Sequence, residues 1–297
     1  MAIVQDFEYF KPKSMKEAFR LLSQHKKSAL LAGGTDLVGE LKEGMISPEA
    51  IIDIKGISKL AGITFKETTR TLEIGSLVTF SQLIRSESIK IYFPLIMEMA
   101  KTVATTSIRN RATMAGNICS AVPCMDSGPV LSVYDAVIKT SGPGCSHRIP
   151  VSVFLKGNRK TAIRGSEIVT AISISLPPEK HAGCFVKLGR YRGEDLAQAS
   201  VAVLALTNDR YRVVFGSVAP VPVRAKKIED LLKGNKLNDH LLHKAQELIP
   251  DEISPITDIR ASKEYRLHMC KIMFERAIKA ARGRLNNSGP KYGTPLI

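Results

Sequence analysis

Two short stretches of the 297-residue chain are stripped of large side chains in a way that suits a phosphate. The first, Leu30, Leu31, Ala32, Gly33, Gly34, Thr35 and Asp36, leaves a hydrophobic strand, crosses two adjacent glycines and turns apolar again at Leu37. The second, Thr113, Met114, Ala115, Gly116 and Asn117, lies about eighty residues further on and again offers small residues with hydroxyl and amide groups. Brought together, the loops would let main-chain N–H groups of Gly33, Gly34, Ala115 and Gly116 point at one anion. Thr35, Thr113 and Asn117 would add hydrogen bonds to phosphate oxygens or hydroxyls. A pyrophosphate fits that description. The plainer reading of a glycine pair is a tight turn, because glycine permits φ > 0 and removes the side chain whether or not a ligand is near.

Other chemistries find no support. The nucleophile elbow, the Walker loop, the HExxH helix and the GxGxxG fingerprint are all missing from the chain. Six histidines are scattered, and five cysteines, an odd number without a CxxC pair, argue against a disulfide framework and a four-cysteine metal site. Cys119 and Cys124 remain a weak pair, read first as reduced thiols. No metal ligand set is assigned. A net charge of +15 raises the question of nucleic acid, but Lys and Arg are spread from Arg20 to Lys291 without interleaved aromatics, so a solvated basic surface is expected, then an acidic protein partner, with nucleic acid last. No run of eighteen apolar residues occurs and MAIVQDFEYFKPK lacks a signal-peptide core, so a soluble, cytoplasmic chain is expected.

The elements that must position the two loops alternate in type. With 44% hydrophobic residues the chain can bury enough core for two domains. Ser14 with Glu17 forms a capping-box pattern ahead of Ala18, Phe19, Leu21 and Leu22, which predicts a helix before the first loop. AIIDIK and TLEIGSLVTF read as strands, with a helix opening near Thr79 and another from about Ile89 to Lys101. SIRNRATMAGNICSAVPCMDSGP then reads as a long structureless loop of the kind that carries function. YDAVIKTSG, SHRIPVSVF and EIVTAISISLP read as strands, and Pro177-Pro178 as a linker. Beyond it CFVKLGRY, ASVAVLALTND and DRYRVVFGSVAP predict a three-stranded antiparallel sheet with a hairpin turn at Asn208-Asp209, followed by helices through about Arg284. The expected class is α+β, with domains at 1–177, divided near 56, and 181–286, and a tail at 287–297. No internal repeat is visible.

AGGTDL (Ala32 to Leu37) and SIRNRATMAGNICSAVPCMDSGP (Ser107 to Pro129) together resemble the FAD-binding subunit, or flavin domain, of the molybdenum hydroxylases, the xanthine dehydrogenase family. EIV at Glu167 to Val169, Lys187 in FVKLGRY and RASKEYR at Arg260 to Arg266 extend the resemblance over nearly the whole chain. It implies a two-lobed FAD-binding domain of the vanillyl-alcohol-oxidase type followed by a smaller flavoprotein C-terminal domain. Carried over residue by residue, it assigns Leu30, Leu31, Ala32, Gly33, Gly34, Thr35 and Asp36 to a pyrophosphate loop and Thr113, Met114, Ala115, Gly116 and Asn117 to a second FAD loop. Asp126, Val169 and Lys187 become further FAD contacts. The family usually has two glycines in the second loop; with Ala115 in place of the first, φ > 0 there would cost roughly 1 kcal/mol, so a negative φ or a shifted loop is expected. Neither loop holds a histidine for covalent attachment, and no four-cysteine insertion for a [4Fe–4S] cluster is present.

The resemblance further implies an electron-transfer subunit without catalytic side chains. Purine, or another N-heterocycle or aldehyde, would be oxidised at molybdopterin on a large subunit. Electrons would pass through [2Fe–2S] clusters on a small subunit to FAD and on to NAD⁺ or another acceptor, possibly in a dimer of heterotrimers. The alternatives left open are a free-standing flavin oxidase and a non-redox basic module binding nucleotide or RNA.

Overall fold

The computed structural model of the chain describes residues 3, 5–191 and 195–297. β1 (Glu8–Phe10), α1 (Met15–Gln24), β2 (Ser28–Leu31), α2 (Thr35–Lys42) and β3 (Ala50–Asp53) build a small parallel sheet in the order β1-β3-β2. Ser14 caps α1 by accepting from the Glu17 N–H, but Glu17 accepts from the N–H of Lys13 instead of Ser14, so only half of the expected capping box forms. Ala18 and Leu21 turn α1 onto Ile52 and Ile54, the core of this lobe.

β4 (Ile63–Lys66) and β5 (Thr71–Gly75) begin a second sheet. A helical run follows: α3 (Phe80–Arg85), α4 (Glu87–Tyr92), α5 (Pro94–Thr102), α6 (Thr106–Arg109), α7 (Met114–Ser120) and α8 (Ser127–Val133). Thr79 makes a complete capping box with Gln82 on α3. The single helix expected over 89–101 is two, because Pro94 cannot continue α4 and instead opens α5 at its first position. The stretch from 107 to 129 is helical for much of its length, in pieces too short for a periodic pattern to register. Thr105 and Thr113 cap two of those pieces, accepting from the N–H groups of Ile108 and Gly116.

β6 (Val137–Gly142), β7 (Cys145–Pro150), α9 (Val151–Phe154), the hairpin β8 (Leu155–Gly157) and β9 (Lys160–Thr161), and β10 (Ile168–Ser175) complete this part. The five-stranded antiparallel order is β4-β5-β10-β6-β7, with a bulge in β10 between Val169 and Ala171.

β11 (His181–Leu188), β12 (Ala199–Leu206), β13 (Arg210–Gly216) and β14 (Val223–Arg224) form the last large sheet. It has four strands where three were expected, since the two-residue β14 is too short to leave a pattern. Asn208 and Asp209 make the β12–β13 turn at φ 62° and 49°, the left-handed pair that suits a two-residue hairpin. α10 (Lys226–Leu232), α11 (Asp239–Glu247), α12 (Ile249–Glu252) and α13 (Lys263–Leu285) cover one face. The other face packs on α5 and α8, so β12 is buried at every position. Period-2 alternation sorts its side chains. Val201, Val203 and Ala205 enter the core under α13, while Ala202 and Leu204 join Leu95, Val130 and Leu131.

Candidate cofactor site

In a parallel sheet the chain must turn at the carboxyl end of β2 to enter α2. Gly34 makes that turn at φ 80° and serves as N-cap. A side chain there would be strained, with its Cβ 2.7 Å from Leu31 Cδ1. Gly33 answers a different demand: a Cβ on it would overlap the carbonyl oxygen of Arg111 and sit 3.0 Å from Ala112 Cα. The glycine pair is therefore a turn and a close approach of two backbones at once. That approach is what brings the two small-residue loops together.

In the second loop Thr113 is the N-cap of α7, its hydroxyl accepting from the Gly116 N–H at 2.9 Å. The Gly116 N–H is thereby used within the loop, which corrects the expectation that it converges with three others on an anion. Ala115 lies inside α7 and outside the left-handed region, so the missing glycine strains nothing. Asn117 Oδ1 accepts from the N–H of Ser127 at 3.3 Å and from its hydroxyl, joining α7 to α8. Asp36 accepts from the Ser120 hydroxyl and ties α2 to α7 across the junction. No side chain caps α2, so the N–H groups of its first turn remain free to donate.

Lys187 occupies the same face of β11 as Phe185, the face turned toward α5 and α8, and this register aims it at the loops. Its Nζ donates to Asp126 Oδ2 at 2.7 Å and to the Thr102 carbonyl at 3.0 Å. Asp126 Oδ1 is buried with no partner in the protein. Burial pushes the Asp126 carboxyl up to about 6, against the opposing pull of the Lys187 charge.

These elements enclose a cleft of about 510 Å³. Leu30, Ala32, Gly33, Gly34, Thr35, Asp36, Thr113, Ala115, Gly116, Asn117, Asp126, Val169 and Lys187 all line it. Leu31 and Met114 do not: Met114 is fully buried in the main core, and Leu31 packs behind Gly34. The wall also contains residues not assigned to the site from the sequence, notably Ser76, Phe80, Val103, Ile108, Glu167 and Leu196. Ser76 resembles Asp126 in having a buried oxygen without a partner, and its N–H donates to the carbonyl of Thr170 at the β10 bulge. Glu167 stands in the EIV stretch already singled out, where a carboxylate directly before an apolar strand was a usable signal.

Fold and cleft define a protein whose N-terminal and C-terminal parts share one cofactor-sized site at their seam. Residues 5–177 match the FAD binding domain in molybdopterin dehydrogenase, and residues 184–281 match the CO dehydrogenase flavoprotein C-terminal domain. The xanthine dehydrogenase FAD-binding subunit of Escherichia coli O157:H7 is 31% identical over 93% of this chain and 98% of its own length. The carbon monoxide dehydrogenase medium chain of Afipia carboxidovorans is 30% identical, covering 95% and 98%. Among solved structures, a carbon monoxide dehydrogenase from Hydrogenophaga pseudoflava that lacks the Mo-pyranopterin moiety of its molybdenum cofactor superposes with a TM-score of 0.90 at 30% identity, over 96% of this chain and 99% of that one. The chain belongs to the family of FAD-binding subunits of the molybdenum hydroxylases, the xanthine and carbon monoxide dehydrogenase type of oxidoreductase.

Proposed function

We propose that this chain holds FAD in the cleft and relays electrons from [2Fe–2S] clusters of a small subunit to NAD⁺ or another acceptor. A purine, or another N-heterocycle or aldehyde, is oxidised in this reading on a separate molybdopterin subunit, within a cytoplasmic dimer of heterotrimers. FAD supplies the coupling between one-electron and two-electron carriers. The observation that carries the assignment is the unpartnered Asp126 Oδ1 in the cleft wall of a chain matched to an FAD domain.

The residues fit the cofactor in kind. The uncapped start of α2, with Gly33 and Gly34 before it, receives the pyrophosphate, where free N–H donors and the helix dipole favour negative charge. Lys187 fixes Asp126 through Oδ2 and leaves Oδ1 to accept from the nucleotide. Phe80, Val103, Ile108 and Val169 exclude water from the ring system. No side chain is needed as general acid or base. Purine rests on the xanthine dehydrogenase relatives; carbon monoxide dehydrogenase is similar at nearly the same identity, as expected if the substrate pocket lies on another subunit.

Titrating the FAD-free chain with FAD tests the site. One FAD per chain is expected, and Asp126→Ala weakens binding by roughly ten- to a hundredfold, since a hydrogen bond to a charged group contributes about 1.5–3 kcal/mol. Unchanged affinity in that variant removes Asp126 from the site. Anaerobic NADH bleaches the bound flavin if NAD⁺ is the acceptor; failure to do so assigns the acceptor role to another carrier.

A further inference from the structure

Outside the cofactor loops, three side chains of metal-binding type converge at one end of the five-stranded sheet. Cys145 and His147 are two apart on β7, so both project from the same face. Glu167, just before β10, reaches that face from the other side of β6. Gly142 stands between them without a side chain: a Cβ there would lie 3.1 Å from Glu167 Cγ and 3.2 Å from Cys145 Sγ. The sulfur, one imidazole nitrogen and one carboxylate oxygen all fall within 4.8 Å of one another.

Several polar atoms at this junction have no partner in the protein, although Glu167 Oε1 lies within reach of both His147 Nδ1 and Cys145 Sγ. His147 Nδ1 and Glu167 Oε1 are 2.8 Å apart, yet Nδ1 makes no aligned hydrogen bond. Glu167 Oε2, in a side chain only 4% exposed, has no partner at all, and neither does Oγ1 of Thr140, which pairs with His147 across the β6–β7 ladder. An imidazole nitrogen and a carboxylate oxygen held that close need a proton or a metal ion between them. Cys145 Sγ, 3.9 Å from Glu167 Oε1, completes a third corner.

We propose that Cys145 Sγ, His147 Nδ1 and Glu167 form a binding site for a borderline-soft divalent metal ion of the zinc class, with a fourth position open to water. Thiolate, imidazole and carboxylate are the ligands such an ion takes, at about 2.0–2.3 Å, which places tetrahedral ligand atoms about 3.3–3.8 Å apart. The sulfur–oxygen separation is already close to this range, and small side-chain rotations open the nitrogen–oxygen one. Thiolate and carboxylate together neutralise a divalent charge, and the buried Glu167 gains the counter-charge it lacks. Cys145 is exposed and His147 one-third exposed, which leaves a route for the ion from solvent. Binding releases the thiol proton to solvent, so affinity rises with pH. The ion would tie the edge hairpin β6–β7 to the start of β10, where Glu167 itself and the next residues, Ile168 and Val169, line the cleft. The single Cys-x-His spacing and a glutamate twenty residues on gave no recognisable motif; only the sheet brings them together.

The test uses the full chain with its flavin retained, freed of metal by chelation. Titration with Zn²⁺ is expected to show one ion per chain, and Co²⁺ in its place to give a sulfur-to-metal charge-transfer band. Cys145→Ser abolishes that band, and both Cys145→Ser and His147→Gln lower Zn²⁺ affinity by roughly a hundredfold or more. Flavin content and circular dichroism stay as in the parent, because neither side chain lines the cleft. Substoichiometric uptake, or uptake and charge-transfer absorption that survive Cys145→Ser, overturns the proposal.

Discussion

Of the ion pairs that cross the seam between the FAD-binding and C-terminal domains among the described residues, the two most buried differ in what they leave undone. Glu98 on α5 and Arg284 on α13 are fully satisfied, by each other and by the backbone around them. Arg284 gives two N–H groups to the two Glu98 oxygens and the other three to the carbonyls of Gly183, Pro290 and Lys291. Glu98 also accepts from the N–H groups of Phe185 and Gly293, and Tyr292 lies against the guanidinium, its centroid 4.1 Å from Cζ. The segment after α13 is thus woven into the seam. Asp126 and Lys187 pair equally closely, but one oxygen of this cleft-wall carboxylate is buried with no partner in the protein. A buried ion pair with every lone pair and proton used is a fastener; one with an atom to spare is, in the function proposed above, the group left to receive the cofactor.

The sharpest way to break this contrast is to remove one partner of the saturated pair. Arg284→Met leaves Glu98 buried and uncompensated and is expected to destabilise the chain by about 3–5 kcal/mol in urea unfolding. A loss below about 1 kcal/mol there would show that the pair does not fasten the seam.

The next effect sharpens the other side. The Asp126 carboxyl stands at about 6 in the folded chain against an ordinary 3.8. Between those values the folded state binds the proton that the unfolded state has released. Stability from this group is therefore greatest below about pH 4 and is lost as pH rises through about 6, by up to about 3 kcal/mol. Carboxylates such as Asp53 and Glu73, held below their usual range by Lys55 and Tyr9 and by Lys139, slope the other way, so the parent and Asp126→Asn must be compared. In FAD-free chain the difference in unfolding free energy between the two is expected to vary with pH across that window. A pH-independent difference would mean Asp126 titrates normally.

The smallest effect tests how far the fastener extends. The Tyr292 hydroxyl accepts from the Gly183 N–H at 3.1 Å while its ring stays on Arg284. Tyr292→Phe keeps the ring and removes one acceptor, for an expected loss of about 1 kcal/mol. A loss as large as that of Arg284→Met would make the hydroxyl, and not the ion pair, the centre of the cluster.

Local signals in the sequence were strong wherever one residue carried the reason. Thr79 announced the opening of a helix, Ser14 a cap, Asn208-Asp209 a hairpin turn, and the glycine pair a chain end that permits φ > 0; each depends on backbone chemistry within four residues. The continuous apolar run of β12 announced a strand, but not that a second domain covers its far face. The helices between 106 and 133 were illegible because each holds at most seven residues, less than two turns, and their boundaries come from caps and from contacts with the sheets.

The residue types of the loops, the α+β class and the family were determined by the sequence itself, because turns, caps and motif spacing act over short distances along the chain. Tertiary structure alone decided that Gly33 serves the Arg111 carbonyl, that Lys187 reaches Asp126, that Ser76 and Glu167 join the wall, and that Cys145, His147 and Glu167 meet beside Gly142. Each of those relations joins residues from different strands or helices. Sheet register, strand parity and the packing of one domain on the other set them, and none of these is a property of any one segment.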